Sequence, residues 1–358
     1  MKVVFDSTRS ASAFRLYPNN ATLFIDDISK LIEAIILYDN IITTEPKEIY
    51  TDAYEKSNSP FDITSDKLSF LFKDIFVSSL DTEEIESVKK IINDPEVEKG
   101  TFNNETFLKS DIEILDDIES SFDLNKLQFW TSELGTINKK EWIVKSFARV
   151  RTLSLLAEQY DAIYDPIIFR QSVMKHLPAV NKTKKTNTLL TSYERELYSY
   201  LRELSLEGHL ALELPLFFNF VLKHCSWDDP NDLFVVANQI RNEKEIIQFR
   251  ELFSSYVNHV GTIDIKSIAK TKRIVDQYIA KIKSTFENHI NFPFMIAVGV
   301  NKFPLKTSFN PNNIIESIRN RELRRSMSRL NNLTYNTFIK MTDVKRKLEY
   351  LIRDKLIE

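Results

Sequence analysis

Five arginines, Arg319, Arg321, Arg324, Arg325 and Arg329, fall within one predicted helical segment. Lys340, Lys345, Arg346 and Lys347 follow, with Tyr335 and Phe338 between the two groups. Basic side chains interleaved with aromatics suit phosphate contacts and base stacking, so this region is a candidate nucleic-acid-binding surface. Guanidinium groups pair equally well with carboxylates. The chain has far more acidic than basic side chains in residues 1–125 and the reverse in 261–358. The basic end therefore either takes a polyanion, stays solvated, or docks on the acidic end. A smaller basic group, Lys139, Lys140, Lys145, Arg149 and Arg151, reads as solvated surface.

Carboxylates offer a second chemistry. Asp6 directly follows the apolar run Val3-Val4-Phe5, and Asp26, Asp27 and Glu45 come soon after. An Asp at the end of a first strand, joined by acids from later strands, suits Mg²⁺ or Mn²⁺ through oxygen ligands. Over residues 1–45 this opening resembles that of the PIN-type nucleases. The resemblance implies a metal-dependent nuclease centred on Asp6, with Glu45 as a second candidate catalytic acid. Asp111, Asp116 and Asp117 are further acids, but their spacing puts them on the wet face of a predicted helix. The bland alternative for Asp6 is a turn or helix cap made with Ser7 and Thr8.

Other catalytic signatures are missing. The five glycines, Gly100, Gly135, Gly208, Gly261 and Gly299, stand far apart, so neither a dinucleotide fingerprint nor a P-loop can be written. No two of His176, His209, His224, His259 and His289 share a helical turn. There is no Gly-x-Ser-x-Gly elbow. Cys225, the single cysteine, has Lys223 and His224 beside it but follows an apolar run, and it reads as a structural thiol. No cofactor is expected beyond Mg²⁺ or Mn²⁺ under the nuclease reading.

The elements that would position these residues follow from periodicity. Lys2–Phe5 reads as a short strand, residues 25–37 as a helix, and Asn40–Thr44 as a second strand, together one parallel βαβ unit. Helical spacing dominates from residue 47 onward. Residues 105–122 should bury Phe107, Leu108, Ile112, Leu115 and Ile118, and residues 140–160 should bury Ile143, Phe147, Val150 and Leu155. The apolar stretch Leu210 to Leu222 reads as a buried helix. Asp229-Pro230 is a helix start, with one long helix running toward Tyr256. Its Leu233, Val236, Ala237 and Ile240 should pack back on Leu216, Phe220 and Val221. Met295 to Val300, bracketed by prolines, reads as a strand or hairpin within 292–305.

The predicted fold class is therefore mainly α, with a small α/β element at the N-terminus and a short strand or hairpin near 292–305. Residues 1–178 form an acidic N-terminal region, residues 188–358 a helical region with a basic end, and the boundary falls in the loop 176–188. The composition is that of an ordinary globular protein: 358 residues, 43% hydrophobic, 28% charged, net charge −3, with 25 phenylalanines for the core. It excludes collagen-like and disulfide-scaffold classes. The first apolar run is too short for a signal peptide, and no stretch is long enough to span a membrane, so a cytoplasmic location and no membrane partner are expected. With so few catalytic signatures, the first expectation is a non-enzymatic interaction or adaptor protein with a protein partner. The alternatives are the nucleic-acid-binding protein and the nuclease, in a bacterial toxin or phage-defence setting.

Overall fold

The run Lys2-Val3-Val4-Phe5 becomes one of the two inner strands of a parallel sheet. The structure, a computed structural model, describes residues 1–5, 21–43, 61–78, 113, 115–118, 120, 139–166, 170, 173, 187–190, 209–214, 217–226, 229–259 and 294–299. Strand β1 (Lys2–Phe5) is followed by helix α1 (Ala21–Leu37) and strand β2 (Asn40–Thr43). β1 and β2 are parallel, with Val3 opposite Ile41 and Val4 opposite Ile42, which is the expected βαβ unit. Two strands absent from the sequence reading extend it: β3 (Phe76–Ser78) beside β2, and β4 (Ile163–Asp165) beside β1, both parallel. At three residues each, they are too short to show a period. The sheet order is β3-β2-β1-β4.

Helix α2 (Lys139–Gln159) leads into β4 and packs on β1 and β4. Its Ile143, Phe147 and Val150 are buried as the spacing predicts, whereas Leu155 is 41% exposed. Leu155 lies about 120° round the helix from Ile143, and Leu153, Leu156 and Ala157 take the inward positions near it. The helix closes with the Ala162 N–H on the Ala157 carbonyl (2.8 Å) and Asp161 in the left-handed conformation (φ 46°). This is a Schellman-type end with an aspartate where glycine is commonest, and it turns the chain into β4.

The connection into β2 moves one way across the sheet and the connection into β4 moves the other. Parallel crossovers are right-handed, so this reversal assigns α1 and α2 to opposite faces. Helix α1 is covered on its far side as well, by α3 (Phe217–His224), α4 (Asp232–Arg241) and α5 (Lys244–His259). Every residue from Asp27 to Tyr38 is buried in consequence, including Asp27, Lys30 and Glu33.

Two expectations about residues 209–259 are corrected. Leu210 to Leu222 is not one helix: His209–Leu214 is strand β6 and the helix begins at Phe217. The segment reads His-Leu-Ala-Leu-Glu-Leu, which alternates with period two, and Pro215 separates it from the helix. β6 pairs antiparallel with β7 (Phe294–Gly299), the strand expected within 292–305. β7 also pairs with β5 (Asn187–Leu190), giving a second sheet of order β5-β7-β6. Asn187 and Thr188, expected in the loop 176–188, thus begin a strand.

The second correction concerns the single helix expected from Asp229 toward Tyr256, which is broken at Asn242-Glu243 into α4 and α5. Arg241 and Arg250 explain the break. Nine residues of continuous helix would place them about 180° apart. Both instead reach the C-terminal end of α1. Arg241 Nη1 donates to the Ile35 carbonyl (2.6 Å) and the Tyr38 carbonyl, and its Nη2 donates to the Asp39 carbonyl. Arg250 Nη1 donates to the Ile36 carbonyl (3.3 Å), and its Nε stands 3.5 Å from Asp39 Oδ1. Two guanidiniums thus occupy the negative end of the α1 dipole and satisfy carbonyls that the helix leaves open. Burial lowers both arginine pKa values, that of Arg241 to about 10, so Arg241 stays cationic at neutral pH.

The segment 61–78 is clamped to the start of α4. Asn231 Oδ1 accepts from Asp62 N (3.0 Å), and Asn231 Nδ2 donates to the Asp62 carbonyl (3.4 Å). Phe61 meets Phe234 edge to face at 5.1 Å, and Lys67 Nζ lies 2.6 Å from Asp229 Oδ2. Of the expected return packing by α4, Leu233, Ala237 and Ile240 are buried while Val236 is half-exposed.

Candidate functional site

The four parallel strands present their C-terminal ends along one edge: Phe5, Thr43, Ser78 and Asp165. In an open parallel sheet, ligands bind outside this edge where the direction of strand addition reverses. Here the reversal lies between β1 and β4. Phe5 and Asp165 are the last Cα partners of that strand pair, after Val3 with Ile163 and Val4 with Tyr164. Phe5, Tyr164 and Asp165 each have 0% exposure. Asp6 is next in sequence after Phe5.

A carboxylate with no exposure is costly unless a cation, a metal or hydrogen-bond donors compensate it. Asp165 is such a fully buried acid, at the C-terminal end of β4. β4 holds it: Ile163 and Tyr164 are buried ahead of it against Val3 and Val4 of β1, and Pro166, which has no N–H to continue the ladder, follows β4. The sequence reading missed Asp165. The available signal was the run Ala162-Ile163-Tyr164 ending in Asp165-Pro166, which repeats the pattern of Val3-Val4-Phe5 ending in Asp6.

The other candidates distribute as follows. Asp6, Glu45, Asp111, Arg319, Arg321, Arg324, Arg325, Arg329, Lys340, Lys345, Arg346 and Lys347 lie outside the described residues. Asp116 and Asp117 are exposed while Leu115 and Ile118 beside them are buried, which agrees with a wet helix face. Asp27 is buried within α1. Lys145 and Arg149 are half-buried and Arg151 is exposed on α2. Cys225 is buried with its thiol donating to the Leu222 carbonyl (3.5 Å), a structural environment. Among the described residues, no three His, Cys, Asp or Glu side chains group as a metal site.

A second buried carboxylate serves the scaffold instead. Glu33 Oε1 accepts from Phe218 N (2.7 Å) at the N-terminus of α3, 185 residues away. It meets a backbone donor that the helix leaves open. Burial pushes the Glu33 pKa well above the ordinary carboxylate range, while the Phe218 and Phe217 N–H groups pull it back. At the 61–78 clamp, the hydrogen bond with Lys67 lowers the Asp229 pKa and raises that of Lys67.

No protein-family model, curated protein or solved structure matches the chain. Among the described residues, no helix is long and apolar enough to cross a membrane.

Proposed function

We propose that the crevice between β1 and β4 is the active site of a metal-dependent phosphodiesterase acting on nucleic acid. The observation that carries this reading is the placement of Asp165, fully buried, as the final register partner of Phe5 at the switch point of the parallel sheet. Asp6 follows Phe5 in sequence, and an aspartate there is proposed as the partner of Asp165 in the site. Their donor atoms are hard oxygens, which suit Mg²⁺ or Mn²⁺ rather than a thiophilic metal. A divalent cation held there would lower the pKa of a bound water and neutralise charge on the phosphate. In the hydrolysis, an oxygen of water would bond to phosphorus as it gives up a proton to solvent, the bond to the leaving oxygen would break, and that oxygen would take a proton from solvent. Asp6 and Asp165 would hold the cation, and Glu45 would be a further acid of the site.

The basic 319–347 region supports the same substrate class, since a polyanion needs a cationic track. The expectation of a non-enzymatic adaptor rested on missing catalytic signatures, and Asp165 supplies a candidate for what was missing.

The test is cleavage of end-labelled single- and double-stranded RNA and DNA in Mg²⁺ or Mn²⁺, with Asp165→Asn and Asp6→Asn as controls. Asp165→Asn keeps the side chain's size and removes the charged ligand. Shortened products that fall at least about a hundredfold in both variants support the reading. No metal-dependent product from any substrate, or full activity in Asp165→Asn, overturns it.

A further inference from the structure

We infer that Ser29 and Glu33 of α1 bind a single internal water molecule at the junction of α1 with the N-terminus of α3. This site is independent of the phosphodiesterase reading.

Ser29 and Glu33 are four positions apart on α1, so they share one face of the helix, with Cβ atoms about 5–6 Å apart. Both residues are 0% exposed. Ser29 Oγ and Glu33 Oε2 are buried and neither has a hydrogen-bond partner. The other carboxyl oxygen, Oε1, accepts from Phe218 N at 2.7 Å, which ties the carboxyl to α3 rather than to its own helix. Phe217 and Phe218 are 0% exposed as well, so the first turn of α3 lies in the protein interior with this face of α1.

A buried hydroxyl and a buried carboxyl oxygen are costly without partners, and internal waters sit where such atoms come together. Two hydrogen bonds of about 2.8 Å in series, with a water at the middle, match the spacing of side chains one helical turn apart. Burial favours the neutral acid form of Glu33, and Oε1 is already taken as an acceptor, so Oε2 carries the proton. Its O–H donates to the water, and the water donates to Ser29 Oγ. The ligand is water and not a metal ion, because a neutral carboxyl and a hydroxyl offer no charge to offset the desolvation of a cation. It is not a larger molecule, because every residue that frames the site is fully buried. The junction of α1 and α3 then has two links: the direct bond to Phe218 N and a water-mediated contact back along α1.

A high-resolution crystal structure of the wild-type chain tests the site directly. The expected result is a water within about 3.2 Å of both Ser29 Oγ and Glu33 Oε2. A Ser29 hydroxyl bonded directly to Glu33, or turned back onto the Ile25 carbonyl with no density between the two side chains, overturns the inference. Oxygen-17 magnetic relaxation dispersion, which counts long-lived internal waters, tests it in solution. Ser29→Val removes the hydroxyl and fills its space with methyl groups, so the amplitude should fall by the equivalent of one water. Glu33→Gln keeps an acceptor for Phe218 N and a donor for the water, so the amplitude should stay at the wild-type level. Unchanged amplitude in folded Ser29→Val overturns the inference. If Ser29→Val fails to fold, the wild-type crystal structure decides alone.

Discussion

Phe5 and Asp165 are Cα partners at the last register of two parallel strands that meet where the sheet reverses its direction of growth. The two residues are 160 positions apart in sequence, and no local pattern joins them. Their pairing brings two apolar runs that are far apart in sequence side by side at one edge of the sheet. Glu33, Arg241 and Asn231 are buried polar groups that secure the scaffold, and each makes a prediction of its own.

Glu33 joins α1 to α3, so its replacement should read out as stability. Glu33→Ala leaves the Phe218 N–H without its acceptor and should cost about 1–3 kcal/mol. Glu33→Gln keeps an acceptor oxygen and should cost less. The pH dependence has a defined sign. Glu33 has a raised pKa in the folded state, so the folded protein holds a proton that the unfolded chain releases. Its contribution is fully present below the ordinary carboxylate value of 4.5 and is lost as pH rises through the folded value. Urea unfolding of wild type should show stability declining upward from that point, and Glu33→Gln should flatten the decline.

Arg241 should be intolerant of replacement even by lysine. Arg241→Met leaves carbonyls of Ile35, Tyr38 and Asp39 without their donor and should destabilise by about 2–4 kcal/mol. Arg241→Lys offers one ammonium where the fork reaches several oxygens, and it should recover less than half of that. Denaturant midpoints at neutral pH, where the arginine is charged, measure both.

The clamp between residues 61–78 and α4 should depend on its buried member and not on its exposed ion pair. Asn231 is 6% exposed and exchanges two hydrogen bonds with Asp62, so Asn231→Ala should cost about 1–3 kcal/mol. Lys67 is solvated, so Lys67→Ala should leave the unfolding midpoint unchanged at moderate salt despite its 2.6 Å contact with Asp229. Thermal melts of the two variants side by side decide this.

What the sequence made legible follows the strength of local pattern. The unit β1-α1-β2 was readable because Val3-Val4-Phe5 and Ile41-Ile42 are β-branched and aromatic runs flanking a helix with apolar steps at Ile28, Leu31, Ile32 and Ile35. The strand at 294–299 was readable from its bracketing prolines. β3 and β4 were not, since three residues carry no period. The burial of Asp27, Lys30 and Glu33 was hidden for another reason: they occupy what looks like the wet side of α1, and only the later helices α3–α5 reveal that this side is covered. The α4–α5 break was equally non-local, set by the need of Arg241 and Arg250 to converge on one helix end. Of the proposed site, Asp6 stood out as the residue closing a strand. Asp165 did not, because its strand was unread.

The most direct test of the central claim is Mn²⁺ binding to the purified full chain, titrated by electron paramagnetic resonance, for wild type, Asp6→Asn and Asp165→Asn. A switch-point site held by these two aspartates predicts saturable binding by wild type that weakens at least about tenfold in each variant, with unfolding midpoints preserved. Wild type that binds no Mn²⁺, or an Asp165→Asn variant that binds it as tightly as wild type, contradicts the account.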